Sequence, residues 1–99
     1  MRTELPALDV LENSTEALRA VAHPIRLQII AILYESKGLS VSEIFSKLNI
    51  EQAIASHHLR ILKDQDIVSV RRDGKNAFYT LIDSGYFTIV DTILRLQEK

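Results

Sequence analysis

The chain of 99 residues contains no cysteine and no tryptophan, and it has only three glycines and two prolines. Without cysteine there can be no disulfide, no thiolate zinc site, no iron–sulfur cluster and no thiol nucleophile or redox switch. Three glycines do not make a glycine-rich phosphate-binding loop. A chain without thiols fits a reducing compartment, so we expect a cytoplasmic protein.

Long apolar runs are missing as well. No stretch approaches the ~20 apolar residues that a membrane-spanning helix needs, and the amino-terminal stretch MRTELPALDVLENS has acidic residues where a signal peptide is basic and then apolar. We therefore expect no membrane association. The length fits a single domain over residues 1–99. A domain of this size buries only about two-thirds of its unfolded surface, so a second copy would add stability.

The net charge of −1, from 12 basic and 13 acidic residues, does not by itself indicate nucleic acid. The charges are unevenly spread, however. Residues 26–82 hold eight basic and six acidic residues, whereas the flanks hold four basic and seven acidic residues. Five of the basic residues lie between Arg60 and Lys75. A nearly neutral protein of this kind can present one basic surface.

The hydrophobic pattern predicts five helices and one β-hairpin; residues 24–35 are almost continuously apolar and are predicted as a buried helix. We predict helices over about 6–22, 24–35, 42–48, 52–64 and 84–97, and strands over 67–72 and 77–82. Asp73-Gly74 is a strong hairpin signal between the strands. Gly38 is expected to be the C-cap of the second helix, and Ser40 or Ser42 the N-cap of the third. The fold class is mainly α (α+β): a winged helix-turn-helix with five helices and a hairpin wing.

The second helix of the predicted helix-turn-helix, 52–64, has two different faces. Its apolar face contains Ile54, His58, Ile61, Leu62 and Gln65, with Ala55 and Leu59 at the margin. The opposite face contains Gln52, Ala53, Ser56, His57, Arg60, Lys63 and Asp64. Small polar residues near the start and cations further along suit a helix that lies in a major groove. By itself this pattern is equally typical of any amphipathic surface helix.

The predicted wing adds a second, independent signal. Arg71, Arg72, Lys75 and Asn76 surround its turn, where folding alone requires no cations. Contacts with phosphates or with the adjacent minor groove would explain them. The two features together predict DNA binding. The alternative is a winged-helix module that binds another protein, and such a module would have no salt-dependent affinity for random duplex DNA.

Three stretches of the sequence resemble the ArsR/SmtB family of winged helix-turn-helix repressors. They are ALRAVAHPIRLQIIAIL, SVSEIFSKL and IASHHLRILKDQDIVSVRRDGKNAFYTL, together covering about residues 17–82. The Ser-x-His-Leu motif at Ser56, followed by Arg-Arg-Asp-Gly-Lys, is the most specific part of the match.

The resemblance implies a homodimer on a duplex DNA operator with two-fold symmetry. It also assigns contacts with bases or phosphates to Gln52, Ala53, Ser56 and His57, backbone contacts to Arg60 and Lys63, and wing contacts to Arg71, Arg72 and Lys75. Two residues depart from the family pattern. Glu51 and Ala53 stand where relatives commonly have serine, so operator choice or affinity can differ.

The sites at which family members bind inducing metals can be compared residue by residue. The cysteine-based site corresponds to Ser40, Val41, Ser42, Glu43 and Ile44, and serine is a poor ligand for soft metals. The carboxylate and histidine site of the last helix retains Asp83, but its other positions hold Gly85, Leu96 and Lys99. We therefore expect no metal site, no cofactor and no thiol sensing. The sequence does not identify a small-molecule effector.

The three histidines have different expected roles. We expect His23 to cap or turn the chain at the start of the second helix, His58 to be a hydrogen-bonded core residue, and His57 to face outward. Ser56, His57 and Asp64 include the residue types of a catalytic triad. However, neighbours on one helix cannot adopt triad geometry, so we expect no enzymatic activity.

The two terminal helices have apolar faces that are wider than packing within one domain requires. In the last helix the apolar arc covers roughly 180°, against about 100° for a helix packed on a core. We therefore predict that helices 6–22 and 84–97 form a dimer interface. Its predicted residues are Leu8, Leu11, Leu18, Phe87, Val90, Ile93 and Leu94. The alternative is that the two helices pack on each other within one chain.

Overall fold

The computed structural model describes residues 4–98. In this part of the chain five helices and a three-stranded antiparallel sheet form the winged helix-turn-helix that the sequence predicts. In chain order the elements are α1 (Leu8–Val21), α2 (Pro24–Tyr34), β1 (Leu39–Ser40), α3 (Val41–Leu48), α4 (Gln52–Asp64), β2 (Val68–Asp73), β3 (Asn76–Leu81) and α5 (Gly85–Gln97). The predicted helix ends differ from these by at most two residues, which is ordinary at frayed termini.

Helix α2 forms the centre of the core. It packs against the other four helices and strand β3, and Ile29, Ile30 and Leu33 on it are buried. Burial of each such side chain contributes about 1.5–3 kcal/mol. The helix starts as predicted: Pro24 is at its first turn, and the His23 Nδ1 accepts a hydrogen bond of 3.1 Å from the Ile25 N–H.

The wing is a hairpin whose strands lie one residue away from their predicted positions. Asp73 pairs with Asn76, so the loop is Gly74-Lys75 and not Asp73-Gly74. Gly74 has a φ of +63°, and this single positive φ at the first loop position is the pattern of a type II′ turn. The residue type was therefore the right signal, although the turn begins one residue later.

Strand β1 was not predicted, because two residues carry no recognisable alternation. Leu39 and Ser40 pair with Tyr79 and Phe78, which gives the strand order β1-β3-β2. The predicted C-cap at Gly38 is also wrong, since α2 ends at Tyr34 with Glu35 as its cap. Gly38 instead has a φ of +138° at the entry to β1, where a Cβ would lie 3.4 Å from the Thr80 Cγ2.

A helix that spans a membrane needs about 20 mostly apolar residues. Within residues 4–98 no single helix is long and apolar enough to cross a membrane. Helices α1 and α2 reach the required length and composition only as a pair, and a bend of 91° separates them.

Candidate nucleic-acid interface

The angle between α3 and α4 is set by the short turn that joins them. Asn49 ends α3 in the left-handed conformation (φ 54°, ψ 50°), and the Ile50 N–H donates to the Phe45 carbonyl at 3.1 Å. These are the usual features of a helix that stops on a left-handed residue. Glu51 then continues in extended backbone and precedes α4. The turn therefore fixes how α4 projects from the domain.

Helix α4 is held to the core by Ala55, His58, Leu59 and Leu62, all of which are buried. This corrects the predicted apolar face. Ala55 and Leu59 are central rather than marginal, whereas Ile54 is 39% exposed and Gln65 is exposed. The prediction placed these side chains by their angles on a helical wheel, and the wheel does not show which part of the face is packed on the core. With Ala55 and Leu59 at the centre of the buried face, the opposite side of α4 is exposed.

Every α4 residue that was predicted to contact DNA is exposed. These residues are Gln52, Ala53, Ser56, His57, Arg60 and Lys63. Glu51 makes no side-chain hydrogen bond to the first turn of the helix. The amino-terminal end of α4, with its partial positive charge, is therefore not neutralised by a capping side chain.

The predicted wing residues Arg71, Arg72, Lys75 and Asn76 are also exposed. The two arginines lie on opposite faces of the hairpin, because successive side chains of a strand alternate. Arg71 is directly opposite Phe78, and its Cζ lies 5.3 Å from the centre of that ring. Arg72 is opposite Ala77. The sequence analysis did not single out Phe78, although its register with Arg71 follows from the position of the turn.

The cations of α4 and the wing have no carboxylate partner. Within residues 4–98 the two ion pairs join Arg19 to Glu16 at 3.3 Å and Arg95 to Asp91 at 2.8 Å. Both pairs lie on the terminal helices. The cations left unpaired on α4 and the wing are Arg60, Lys63, Arg71, Arg72 and Lys75. This surface is therefore chemically suited to a polyanion.

Three histidines, His57 and His58 of α4 and His23 at the start of α2, lie close together. His58 is 7% exposed, and its ring centre is 4.3 Å from that of His23 and 5.0 Å from that of His57. The prediction of a hydrogen-bonded His58 is wrong, because its buried Nδ1 has no hydrogen-bond partner. The Nε of Arg26 is likewise buried without one. Nothing local in the sequence indicates that α2 brings His23 and Arg26 to this histidine.

The environment of His58 disfavours its charged form. Burial lowers the pKa of His58, and the positive charges of His23, Arg26 and His57 lower it further. All three of these neighbours carry positive charge when protonated, and no negative group offsets them at this ring. The folded environment therefore favours the neutral form of this imidazole.

The residues compared above with the metal sites of the family make local hydrogen bonds. The Ser40 hydroxyl accepts from the Glu43 N–H at 3.2 Å, and the Glu43 Oε1 accepts from the Ser40 N–H at 2.9 Å. This capping box, chiefly through the Ser40 N–H, lowers the pKa of Glu43. The Asp83 Oδ1 accepts from the Gly85 N–H at 2.7 Å. Lys99 lies outside the described residues.

No group of three or more histidine, cysteine, aspartate or glutamate residues within 4–98 is arranged to hold a metal ion. The side chains of Ser40 and Glu43 each accept a hydrogen bond from the backbone N–H of the other residue, and the Asp83 carboxylate accepts from the backbone N–H of Gly85. The described residues therefore offer no prepared ligand set for a cation.

The terminal helices leave a broad apolar surface uncovered. Leu8 is 70% exposed, and Leu11, Leu18, Ile93 and Leu94 are each 44% exposed or more. Between α1, α2 and α5 lies a groove of about 470 Å³, lined by residues that include Leu18, Leu27 and Ile89. Because these side chains stay exposed, the packing of α1 and α5 within one chain does not account for their apolar width.

Two of the predicted interface residues pack within their own chain. Val90 is 1% exposed, so it belongs to the core and offers no surface to a second chain, which corrects its assignment. Phe87 stacks on Tyr34, with ring centres 3.9 Å apart and planes inclined by 6°. The helical wheel placed Val90 on the apolar side of α5 but could not tell which part of that side faces the core.

The sequence and fold match known regulatory proteins. A family model described as "Bacterial regulatory protein, arsR family" matches residues 23–70. The repressor SmtB of Mycobacterium tuberculosis is 37% identical over 78 residues, which are 79% of this chain and 57% of that protein. This chain thus spans little more than half of the SmtB length.

Two further relatives match over most of their length. The transcriptional activator HlyU of Vibrio cholerae is 34% identical over 88 residues, covering 86% of this chain and 81% of HlyU. A HlyU structure covers 94% of this chain and 100% of its own, with a TM-score of 0.80 and 29% identity. A homodimeric winged helix-turn-helix DNA-binding domain from Mycobacterium bovis matches 99% of this chain and 91% of its own, with a TM-score of 0.80. At 21% identity this last match concerns the fold alone.

Proposed function

Because the chain belongs to the ArsR family of bacterial regulatory proteins, we propose that it is a homodimeric transcriptional repressor that binds duplex DNA through α4 and the wing. The family consists of transcriptional regulators rather than enzymes. The observation that carries the proposal is the set of unpaired, exposed cations on α4 and the wing. Such a set binds phosphates by releasing counterions.

In this proposal the start of α4 reads the bases. Gln52, Ser56 and His57 bring hydrogen-bonding groups to the base edges, and the methyl group of Ala53 can contact a thymine methyl. Arg60 and Lys63, further along the helix, bind backbone phosphates. The wing residues Arg71, Arg72, Lys75 and Asn76 contact the phosphates or minor groove beside the site. Base contacts specify the sequence, and phosphate contacts position the protein on it.

The second subunit covers the apolar surface of α1 and α5. The proposed interface contains Leu8, Leu11, Leu18, Ile93 and Leu94. It also includes Phe87, which stacks on Tyr34 of its own chain but is only half-buried, and it leaves out the fully buried Val90. Leucine and isoleucine side chains that are about half exposed in one chain would be buried against the same surface of a two-fold partner. A two-fold dimer would place its recognition helices about 34 Å apart, which matches one turn of DNA and an operator with two-fold symmetry.

We also propose that neither a metal ion nor a thiol releases this repressor from DNA. The chain has no cysteine, and the side chains of Ser40, Glu43 and Asp83 are engaged in local hydrogen bonds. Addition of zinc at micromolar concentration should leave the affinity for DNA unchanged. Strong release of DNA by zinc would contradict this part of the proposal.

The decisive test is DNA binding at several salt concentrations. Fluorescence anisotropy with a labelled mixed-sequence duplex should show an affinity that falls steeply as KCl is raised. Arg95→Ala is the matched control for the unpaired cations of α4 and the wing, because it removes a cation that is paired with Asp91 on α5. It should leave the salt dependence unchanged. An affinity for the duplex that does not depend on salt, or none, would refute the proposal and favour a protein-binding module.

A further inference from the structure

An aromatic ring lies on the outer face of the wing, where the core does not need it. The inner face of the hairpin carries Val68, which is buried, and Tyr79 and Leu81, which pack against the core. The outer face carries Ser69 and Thr80, joined by a hydrogen bond of 3.0 Å between their hydroxyls. Phe78 is half-buried on this outer face, and within residues 4–98 it is not among the hydrophobic side chains packed on the core.

The neighbour of this ring is a cation. Arg71 is the direct cross-strand partner of Phe78, and the guanidinium carbon lies 5.3 Å from the ring centre. This is within the ~6 Å at which a guanidinium is attracted to an aromatic face. Among residues 4–98 no carboxylate lies within 4 Å of the Arg71 guanidinium, and the Phe78 ring is the neighbour that can orient it. Arg72 is opposite Ala77 and has no such support from its cross-strand partner.

We propose that Phe78 is a positioning residue, whose ring holds the Arg71 guanidinium in place for a DNA phosphate. The inference rests on the proposed function, since it assigns a role within the same binding surface. An arginine has many rotamers, and fixing one of them on binding costs free energy. A contact that already holds the side chain in the unbound protein reduces this cost. A guanidinium attracted to the ring at 5.3 Å stays exposed on the wing, so its N–H groups can still donate to a phosphate.

The proposal has a consequence that a purely structural role for Phe78 does not share. The ring acts on DNA affinity through Arg71 alone, so its removal should have no further effect once Arg71 is gone. It should keep its full effect when Arg72 is gone, because Arg72 projects from the other face. The two arginines, adjacent in sequence, are therefore not equivalent.

The experiment compares Phe78→Leu and Phe78→Tyr in three backgrounds: wild type, Arg71→Ala and Arg72→Ala. The probe is a fluorescein-labelled 30-base-pair duplex of mixed sequence, titrated with the full chain by anisotropy. Phe78→Leu should weaken binding by about two- to fivefold per wing, or about four- to twenty-fivefold for a dimer with two wings. Phe78→Tyr keeps the ring and should bind like wild type. In the Arg71→Ala background Phe78→Leu should change nothing further, and in the Arg72→Ala background its effect should remain.

A measurement without DNA checks the contact directly. The δ-methylene protons of Arg71 should be shifted upfield by the ring current in wild type and in Phe78→Tyr, and this shift should vanish in Phe78→Leu. Equal losses from Phe78→Leu in the two arginine backgrounds, wild-type binding by Phe78→Leu, or an unshifted Arg71 in the wild type would each overturn the inference. Wild-type protein that does not bind the duplex would instead refute the proposed function, and this inference with it.

Discussion

Replacement of His58 by leucine tests whether the buried imidazole costs stability. Its Nδ1 is buried without a hydrogen-bond partner, and such an unsatisfied group costs about 1–3 kcal/mol. Leucine is of similar size and has no polar atom, although its different shape can lower the free energy of unfolding by up to about 1.5 kcal/mol. At pH 8 we therefore expect the free energy of unfolding of His58→Leu to lie between about 0.5 kcal/mol below and about 3 kcal/mol above that of wild type.

The pH dependence follows from the lowered pKa of His58 in the folded protein. Above about pH 7.5 the imidazole is neutral in both the folded and the unfolded chain, and it adds no pH dependence. Below about pH 6.5 the unfolded chain binds a proton that the folded chain does not, so the free energy of unfolding falls as the pH is lowered towards the folded-state pKa. His58→Leu should lack this part of the loss.

Urea unfolding followed by circular dichroism measures both effects at a fixed protein concentration, which a dimer requires. Measurements between pH 8 and pH 5.5 avoid the range in which the carboxylates titrate. His57→Gln is the matched control, because it removes the adjacent but exposed imidazole. Its free energy of unfolding should keep most of the pH dependence seen in wild type. The reasoning is refuted if the free energy of unfolding of His58→Leu changes with pH as it does in wild type, or if His58→Leu is more than about 1 kcal/mol less stable than wild type at pH 8.

The remaining predictions concern the recognition helix, the subunit interface and a helix cap. Gln52→Ala should cost about 1–3 kcal/mol at one base pair, seen as relaxed preference at that position when duplexes are selected from a random pool; an unchanged profile would exclude a base contact. Ile93→Glu places a charge on the apolar surface and should give a monomer in sedimentation at micromolar concentration, whereas the exposed polar-face control Thr92→Glu should remain dimeric. A wild-type monomer would contradict the interface. Ser40→Ala should cost about 0.5–2 kcal/mol in urea unfolding because it removes the cap of α3, and Ser42→Ala should have little effect.

Local features of the sequence were sufficient for most of the architecture. Helices α1, α3, α4 and α5 follow from periodicity, and α2 follows from its almost continuous apolar run. The His23 cap follows from residue type, whereas residue type alone left Ser40 and Ser42 as alternative caps of α3, and the structure has Ser40 there. Strand β1 could not be predicted, because Leu39 and Ser40 are extended only through pairing with β3. Gly38 was misassigned for the same reason, since its conformation serves the sheet entry and not the end of α2.

The candidate site shows the same division. Exposure of the α4 and wing residues follows from local patterns. The contact between His23 and His58 does not, because it joins residues 35 positions apart and depends on how α2 crosses α4. The burial of Val90 depends likewise on tertiary packing. These features require the relative placement of helices, which periodicity leaves open.

The net charge of −1 is compatible with DNA binding because of where the charges lie. Screening limits each charge to about 8–10 Å at physiological salt, so a DNA phosphate senses the nearby surface and not the sum over the chain. On α1 and α5 the acidic residues Glu16 and Asp91 pair with cations of their own helix. Within residues 4–98 the cations on α4 and the wing are unpaired. Exposed acidic residues on these elements are Glu51, Asp64 and Asp73, and Glu51 directly precedes the proposed base-reading residue Gln52. Its carboxylate does not cap the helix.

If α4 lies in the major groove as proposed, Glu51 opposes phosphate binding and lowers the affinity for all sequences alike. Glu51→Ser should therefore strengthen binding to the mixed-sequence duplex and leave the preferred bases unchanged.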